Sequence, residues 1–233
     1  MGNKNKEYQL TKKILSEYHF SALKNARSLV SEAKVLFDNK FYARGYFLAC
    51  ASIEEVGKAF ILHNAQGRNL NDGAVQNVIK NNIENHSSKI TSAFFSWNFL
   101  DGIEKERLLT LIDLAINIKN GREPSMYVDI SPESKTISPL DVVGEVNAKD
   151  IIDVATTCLE KTIEYTSTNS PQETSTFDDK FYCMSQSLRD KIMNSEDFSK
   201  YLLDNMTEHF NFAKTIVNYN ESYYQKDKAY NKS

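Results

Sequence analysis

The fold is decided by one segment of the sequence, FYARGYFLACASIEEVGKAFILH (residues 41–63). Its apolar residues recur at helical spacing along one side, and further apolar residues cover much of the remaining circumference. A helix that is apolar on most of its surface is buried on more than one side. In a small helical bundle we expect the second side to meet another copy of the chain. The sequence therefore predicts a homodimer through this second helix.

Further segments on both sides of it carry the period of an amphipathic helix. We expect these helices at residues 20–37, 75–97, 108–118 and 147–163, with a short one near 181–192 and a last one over about 195–219. Asp72 and Asn147 are expected to act as N-caps. The polar residues 38–40 and the pair Asp101-Gly102 would separate neighbouring helices, while residues 127–146 lack a helical period and predict an extended loop.

Together these segments predict an all-α protein, an antiparallel helical bundle with additional C-terminal helices. We expect the bundle over residues 1–166, a Ser- and Thr-rich linker over 167–178, a C-terminal helical appendage over 179–222 and a disordered tail over 223–233.

Composition limits the classes of function. A net charge of −3 over 233 residues argues against a protein that coats nucleic acid by bulk charge, so DNA is not an expected partner and RNA would need a local site. The cysteines, Cys50, Cys158 and Cys183, lie far apart without a Cys-x-x-Cys pair, which suits reduced thiols. The first residues form no signal peptide, and no apolar stretch is long enough to cross a bilayer. We therefore expect a cytoplasmic protein without a membrane partner.

The second helix carries only four charged residues, Arg44, Glu54, Glu55 and Lys58. Glu54 and Lys58 are four residues apart, in the order that favours an ordinary surface ion pair. Their neighbours on the same side are apolar, and a charge on a buried helix must be paired or functional. A structural and a functional interpretation both stay open for this helix.

Another set of polar residues lies on the apolar face of the third helix. His86 occupies a position where a core residue is expected, Asn82 precedes it by four residues, and Lys89 follows it by three. An isolated histidine on such a face is more often a hydrogen-bonded core residue. Several buried polar groups destabilise a fold unless they pair, however, so we favour a small functional cluster that faces inward.

Arg122 continues the inward face of the fourth helix, and Tyr127 follows as the chain leaves that helix. An arginine at a helix end can bind the last carbonyls. It can also reach into a cleft and bind a phosphate with two donors. The remaining histidines, His19, His63 and His209, have no partners at ligand spacing, so we expect no metal and no cofactor.

Five short motifs occur together in this chain: Ala26-Arg27-Ser28-Leu29, Phe41-Tyr42-Ala43-Arg44-Gly45, Ser52-Ile53-Glu54-Glu55-Val56-Gly57-Lys58-Ala59, His86-Ser87-Ser88-Lys89 and Met126-Tyr127-Val128-Asp129. In this combination the sequence resembles the AbiV family, which are bacterial abortive-infection proteins of the HEPN superfamily. The resemblance covers about residues 23–163 and implies a helical bundle that dimerises and halts growth of a phage-infected cell.

Many HEPN proteins are metal-independent ribonucleases in which a histidine follows an arginine by four to six residues. This chain departs from that pattern, because none of its six arginines has a histidine at that distance, and the nearest equivalent is Arg122 with Tyr127. Beside a purely structural bundle whose polar residues fix its register, two functions therefore stay open. One is an effector that binds or cleaves RNA and so stops protein synthesis. The other is a non-catalytic dimeric module that binds a phage or host protein, and a phage-encoded protein is a candidate trigger for both.

If RNA is cleaved, the ribose 2′-hydroxyl would attack the adjacent phosphate, with His86 as the base and Arg122 stabilising the developing charge. Tyr127, Lys58 or Lys89 would orient the phosphate, and Glu54 or Glu55 would hold one of these cations. The expected catalytic residues are His86, Arg122, Tyr127 and Glu55, and the expected RNA-binding residues are Arg44, Glu54, Lys58, Asn82 and Lys89.

Overall fold

The computed structural model describes residues 8–97, 105–207, 210–226 and 228–232. The helix break predicted at Asp101-Gly102 and the residue His209 lie outside these ranges. Contacts divide the chain into two compact units, Met1–Gln66 with Ile79–Pro171, and Gly67–Val78 with Gln172–Ser233. Within the described ranges, no helix is both long and apolar enough to cross a membrane.

The predicted all-α bundle is confirmed, since the only strands in the described ranges are two strands of two residues each, which form one hairpin. Up to residue 171 the elements are α1 (Lys12–Asp38), α2 (Tyr42–Ala65), α3 (Gly73–Glu84), α4 (His86–Ala93), α5 (Lys105–Arg122), β1 (Asp129–Ile130), β2 (Thr136–Ile137), α6 (Pro139–Val142) and α7 (Glu145–Thr168). The two strands pair antiparallel, with Asp129 opposite Ile137.

Helix α2 lies at the centre of the first unit, packed against α1, α4 and α7. Fourteen of its 24 residues are buried. Small side chains let α1 approach closely: the Ser52 hydroxyl donates to the Ala26 carbonyl at 2.9 Å, and a Cβ at Gly45 would lie 3.1 Å from the Ala33 carbonyl oxygen. The apolar circumference of α2 is thus buried within one chain, so it does not by itself require a second copy. The homodimer stays a prediction.

Several helix boundaries differ from the sequence-based expectation. The helix expected over 75–97 is two helices, because Asn85 ends α3 and caps α4 by accepting a hydrogen bond from the Ser88 amide at 2.9 Å. Asp72 caps α3 as predicted, through the Ala74 amide at 2.8 Å. The Asn147 cap is wrong, because α7 begins at Glu145 with Gly144 at the N-cap position.

Two other expectations are corrected near the ends of the first unit. Helix α1 starts at Lys12, earlier than predicted, because the Thr11 hydroxyl caps it by accepting from the Ile14 amide. The loop expected over residues 127–146 contains the β1–β2 hairpin and α6, and a capping box between Ser138 and Asp141 starts that helix.

The second unit contains four short helices that follow residue 171. They are α8 (Thr176–Cys183), α9 (Gln186–Met193), α10 (Glu196–Asp204) and α11 (Phe212–Tyr219), followed by a π-helical turn at Asn220–Tyr224 and a 3-10 turn at Tyr230–Lys232. The single helix expected over 195–219 is therefore two. Their core contains Ile192, Phe198, Ile216 and Tyr219, and Tyr223 and Tyr230, from the expected disordered tail, pack against it.

A buried carboxylate ties the N-terminal piece of the second unit to α8. Asp179 accepts from the Arg68 guanidinium at 2.9 Å, from the Asn69 amide at 3.0 Å and from the Thr174 hydroxyl at 2.9 Å. The Arg68 guanidinium also stacks 3.6 Å from the Tyr182 ring centroid. Because the acid is paired on several sides, we assign this cluster a structural role.

Gly57 brings the backbone of α4 directly against α2. A Cβ at Gly57 would lie 1.7 Å from the Lys89 carbonyl oxygen and 3.0 Å from the Ala93 amide nitrogen. Both of these are backbone atoms, so no side-chain rotation would make room. Only glycine permits this helix–helix distance.

We expect Gly57→Ala to lower the free energy of unfolding by about 1–3 kcal/mol, because the new methyl group forces α4 away from α2. Gly73→Ala is the matched control, since nothing lies within 4 Å of a Cβ at that position. Urea unfolding measures both variants, and equal stability of the two would contradict the assigned close approach.

Two buried histidines lie side by side where α1 meets the end of α2. The His19 and His63 ring centroids are 5.5 Å apart, and His19 Nδ1 is 2.9 Å from the Ala59 carbonyl oxygen. Burial lowers the pKa of both imidazoles, and the neighbouring His19 lowers the pKa of His63 further. Folding therefore favours the neutral form of both rings.

Because these pKa values are lower in the folded than in the unfolded chain, the unfolded chain binds more protons below about pH 6.5. We expect the free energy of unfolding to fall by about 1–3 kcal/mol between about pH 7.5 and 5.5. In His63→Phe the decrease should be smaller, since one of the two groups is gone. Urea unfolding at the two pH values tests this, and an unchanged decrease in the variant would contradict it.

Candidate functional site

A buried carboxylate on α2 binds three basic side chains. Glu54 Oε2 lies 2.6 Å from His86 Nδ1 and 2.7 Å from Lys89 Nζ, and its Oε1 lies 2.7 Å from Arg122 Nε. The Glu54 side chain is 7% exposed. The Arg122 contact has the distance of an ion pair without the geometry of a directed hydrogen bond. One carboxylate thus joins α2, α4 and α5.

Local sequence explains why these side chains meet. The cap at Asn85 makes His86 the first residue of α4, with Lys89 one turn further on. Gly57, three residues after Glu54, admits the α4 backbone at Lys89. Arg122 is the last residue of α5, and the Ser125 hydroxyl donates to its carbonyl.

The charges of the cluster favour an ionised Glu54. Burial raises the pKa of this carboxyl, but hydrogen bonds from Lys89 and His86 and the charges of Lys89 and Arg122 outweigh burial and hold the pKa below its ordinary value. With one negative and two positive groups, the cluster carries a net charge of about +1 before His86 is counted. It is therefore suited to an anion.

His86 is the exposed member of the cluster, with 58% of its side chain accessible. A carboxylate can only accept hydrogen bonds, so Nδ1 carries a proton and the neutral ring leaves Nε2 as a proton acceptor. A carboxylate that fixes one imidazole nitrogen in this way sets the tautomer and orientation of the ring. The arrangement is that of a positioned general base.

Two residues of α2 that the sequence did not point to, Phe47 and Cys50, belong to the surroundings of the cluster. The Phe47 ring centroid lies 5.8 Å from Arg122 Cζ, and Phe47 precedes Glu54 by two helical turns, a spacing that could have revealed it. Cys50 is fully buried one turn before Glu54, and its burial raises the pKa of the thiol to about 12. The thiol is therefore protonated and is no nucleophile.

The other predicted site residues lie outside these contacts with Glu54. Lys58 pairs with Glu55 and not with Glu54, so the ordinary Glu54–Lys58 ion pair that their spacing favoured does not form. Lys58 Nζ also lies 5.7 Å from the centroid of the Tyr18 ring. The Glu55–Lys58 pair is about one-sixth exposed and adjoins the cluster in sequence.

Three predicted residues flank the cluster in sequence. Arg44 donates from Nη1 to the Met126 carbonyl at 3.3 Å and so fastens the segment that follows α5. Tyr127, the next residue, is 58% exposed. Asn82 is half-buried on α3, before the break at Asn85. Of the nine predicted residues, the structure thus joins Glu54, His86, Lys89 and Arg122 directly.

A metal centre has no ligand set in the described ranges, where no three His, Cys, Asp or Glu side chains converge. The chemistry of the cluster itself is proton transfer and anion binding, because it combines an imidazole with a guanidinium and an ammonium.

We expect Glu54→Gln to lower the free energy of unfolding by about 3–5 kcal/mol, because it leaves Lys89 and Arg122 without a counter-charge in a buried site. The neighbouring Glu55→Gln is the control and should lower it by about 1 kcal/mol or less, since its single pair is more exposed. Urea unfolding near neutral pH compares them, and a small effect at Glu54 would rule out its role as the centre of the cluster.

Comparison with known proteins supports the resemblance seen in the sequence. The family model described as AbiV, of the HEPN class, matches residues 15–160, which is more than half of the chain and includes the whole cluster. Neither a curated protein nor a solved structure is found to match. The chain belongs to the AbiV family of HEPN proteins, which suggests a role in abortive infection and defence.

Proposed function

We propose that this protein is an abortive-infection effector that binds RNA at the Glu54 cluster and cleaves it, and so stops protein synthesis in the infected cell. The observation that carries the proposal is the convergence of His86, Lys89 and Arg122 on the one buried carboxylate of Glu54. Cleavage of a phosphodiester without a metal needs a general base and positive charge that stabilises the phosphate oxygens. A positioned imidazole beside two cations supplies both.

Arg122 is suited to bind the phosphate. Only its Nε lies within ion-pair distance of Glu54, at 2.7 Å from Oε1, and the two terminal nitrogens of the guanidinium are proposed as the donors for a pair of phosphate oxygens. Lys89 is 9% exposed, and its ammonium adds positive charge behind that position. Because water is largely excluded around these groups, their attraction for an anion is stronger than at an open surface.

The proposed reaction is an internal transfer on the RNA. His86 Nε2 takes the proton of a ribose 2′-hydroxyl, the 2′-oxygen forms a bond to the adjacent phosphorus, and the bond from phosphorus to the 5′-oxygen breaks. Arg122 and Lys89 stabilise the extra negative charge on the phosphate oxygens. The imidazolium of His86 or a water molecule protonates the departing 5′-oxygen. The products are a 2′,3′-cyclic phosphate and a 5′-hydroxyl end.

This site accounts for the absence of a closely spaced arginine and histidine in the sequence. Here the arginine comes from the end of α5 and the histidine from the start of α4, and Glu54 brings the two side chains together. Tyr127 follows Arg122 by five residues, at the spacing where many HEPN proteins have a histidine. Its side chain is exposed and is proposed to orient the RNA. Arg44, Lys58, Glu55 and Asn82 are proposed to support RNA binding around this centre.

A second candidate function is a non-catalytic dimer that binds a phage or host protein. The observation that favours it is the exposed apolar row of Leu109, Ile112 and Ile116 on α5, which are 53%, 46% and 48% exposed. Exposed apolar rows of this kind are typical of protein-binding helices. Under this function the Glu54 cluster would only fix the packing of α4 and α5.

We expect His86→Ala to abolish growth arrest and to slow RNA cleavage by about 10²- to 10⁴-fold, because the general base is lost. The experiment expresses each variant in bacteria with and without phage and measures bulk protein synthesis and new 5′-hydroxyl RNA ends. His86 is exposed, so this variant should fold normally.

Ser87→Ala is the matched control, because Ser87 is the exposed neighbour on the same helix. It should arrest growth as the wild type does. Full arrest by His86→Ala, without new RNA ends in any variant, would contradict cleavage and favour the protein-binding function.

A further inference from the structure

A groove separate from the Glu54 cluster runs between α1 and α7 in the first unit. Its volume is about 480 Å³, within the range of small-ligand sites. Leu23 and Ile163 give the lining an apolar part, and the buried His19 also belongs to it. Thr166 and Ser167 line the α7 side. None of the residues that line the groove is acidic.

An aromatic ring stands at the edge of this groove. Phe20 is 66% exposed, an unusual exposure for a large apolar side chain in the middle of a long helix. Its ring meets the His19 ring edge-on, with centroids 5.0 Å apart and planes at 70°. His19 is held by the Ala59 carbonyl, so the edge-on contact packs one side of the Phe20 ring. The rest of the ring is exposed and is available for stacking.

Two cations follow Phe20 on the same side of α1. Lys24 and Arg27 are exposed and make no ion pair with any residue in the part of the chain that the structure describes. They come four and seven residues after Phe20, so all three lie on one helix face, spread over about 10 Å along the axis. Lys24 and Arg27 thus form a local positive surface on a chain whose net charge is −3, and this surface is suited to bind an anionic ligand.

Hydroxyl oxygens complete the set of contacts. The Thr166 hydroxyl donates to the Thr162 carbonyl at 2.8 Å, and the Ser167 hydroxyl donates to the Glu164 carbonyl at 2.9 Å. With their protons engaged by the helix backbone, both oxygens are left as acceptors. Such acceptors suit the amino group of a base or a ribose hydroxyl.

We infer that this groove binds a short stretch of single-stranded RNA, with a base stacked on Phe20 and neighbouring phosphates on Lys24 and Arg27. Proteins that bind single-stranded nucleic acid commonly combine aromatic side chains with a positively charged groove, since every base has a face that can stack on an aromatic ring. The inference rests on the proposed function for the identity of the ligand. The groove holds the strand, and the Glu54 cluster acts on a phosphate elsewhere along it.

The experiment measures binding of a fluorescein-labelled 12-nucleotide oligouridine by fluorescence anisotropy at several salt concentrations. Lys24→Gln/Arg27→Gln should weaken binding by about tenfold or more and lower the salt slope by about 1.4, which corresponds to two phosphate contacts. Phe20→Leu keeps an apolar side chain but no ring for stacking, and it should weaken binding by about fivefold or more.

Lys34→Gln/Lys200→Gln is the control, because it removes the same charge from two exposed residues outside the groove. Arg122→Gln and His86→Ala are measured alongside. Weaker binding by both groove variants, with the control unchanged, supports the inference, and it stands even if His86→Ala still arrests growth and the proposed cleavage fails.

Three outcomes would overturn the inference. If the groove variants bind as the wild type does while Arg122→Gln binds weakly, the groove does not bind the strand and the proposed function at the Glu54 cluster still holds. An equal loss in Lys34→Gln/Lys200→Gln would show that total charge and not the groove attracts the strand. A wild type that does not bind the oligonucleotide would remove the groove as an RNA site.

Discussion

The burial of the Glu54 carboxylate is the constraint on which the rest of the site depends. A carboxylate removed from water is stable only when cations and hydrogen-bond donors surround it. Lys89 and Arg122 supply the charge, and His86 supplies a further hydrogen bond at the outer edge. Meeting that requirement fixes the ends of α4 and α5 against α2. The same contacts orient an imidazole and leave a net positive charge, so stability and chemistry have one physical origin.

The family's most recognisable stretch has a physical reason at several of its positions. Ser52 donates a hydrogen bond to the α1 backbone, and Glu54 pairs with the cations. Gly57 lets the α4 backbone lie close to α2. Arg44, further upstream, holds the segment that leaves α5. Each position serves one neighbouring element, and together they determine where α1, α4 and the end of α5 lie around α2.

The sequence could predict the central helix, because that helix is apolar on most sides. It could also predict that the few charges on this helix are paired or functional, because the helix is buried. It could not predict which charges pair. Arg122 reaches Glu54 from a distant helix, whereas Lys58 turns to Glu55, and periodicity carries no information on that choice. The apolar period of the sequence continues across Asn85, so it does not predict that one helix ends and another begins there. The homodimer stays a prediction, because α4 and α7 pack against α2 within one chain and leave the question of a second copy to experiment.

Glu54 orients His86 by accepting a hydrogen bond from Nδ1–H. The most direct test is a long-range ¹H–¹⁵N correlation spectrum of the imidazole groups at about pH 8, where an ordinary histidine is neutral. His86 is assigned by comparison with His86→Ala. We predict that His86 is the Nδ1–H tautomer with an unprotonated Nε2, and that this preference is lost in Glu54→Gln. A wild-type His86 that is mainly the Nε2–H tautomer, or is unchanged by Glu54→Gln, would contradict the account.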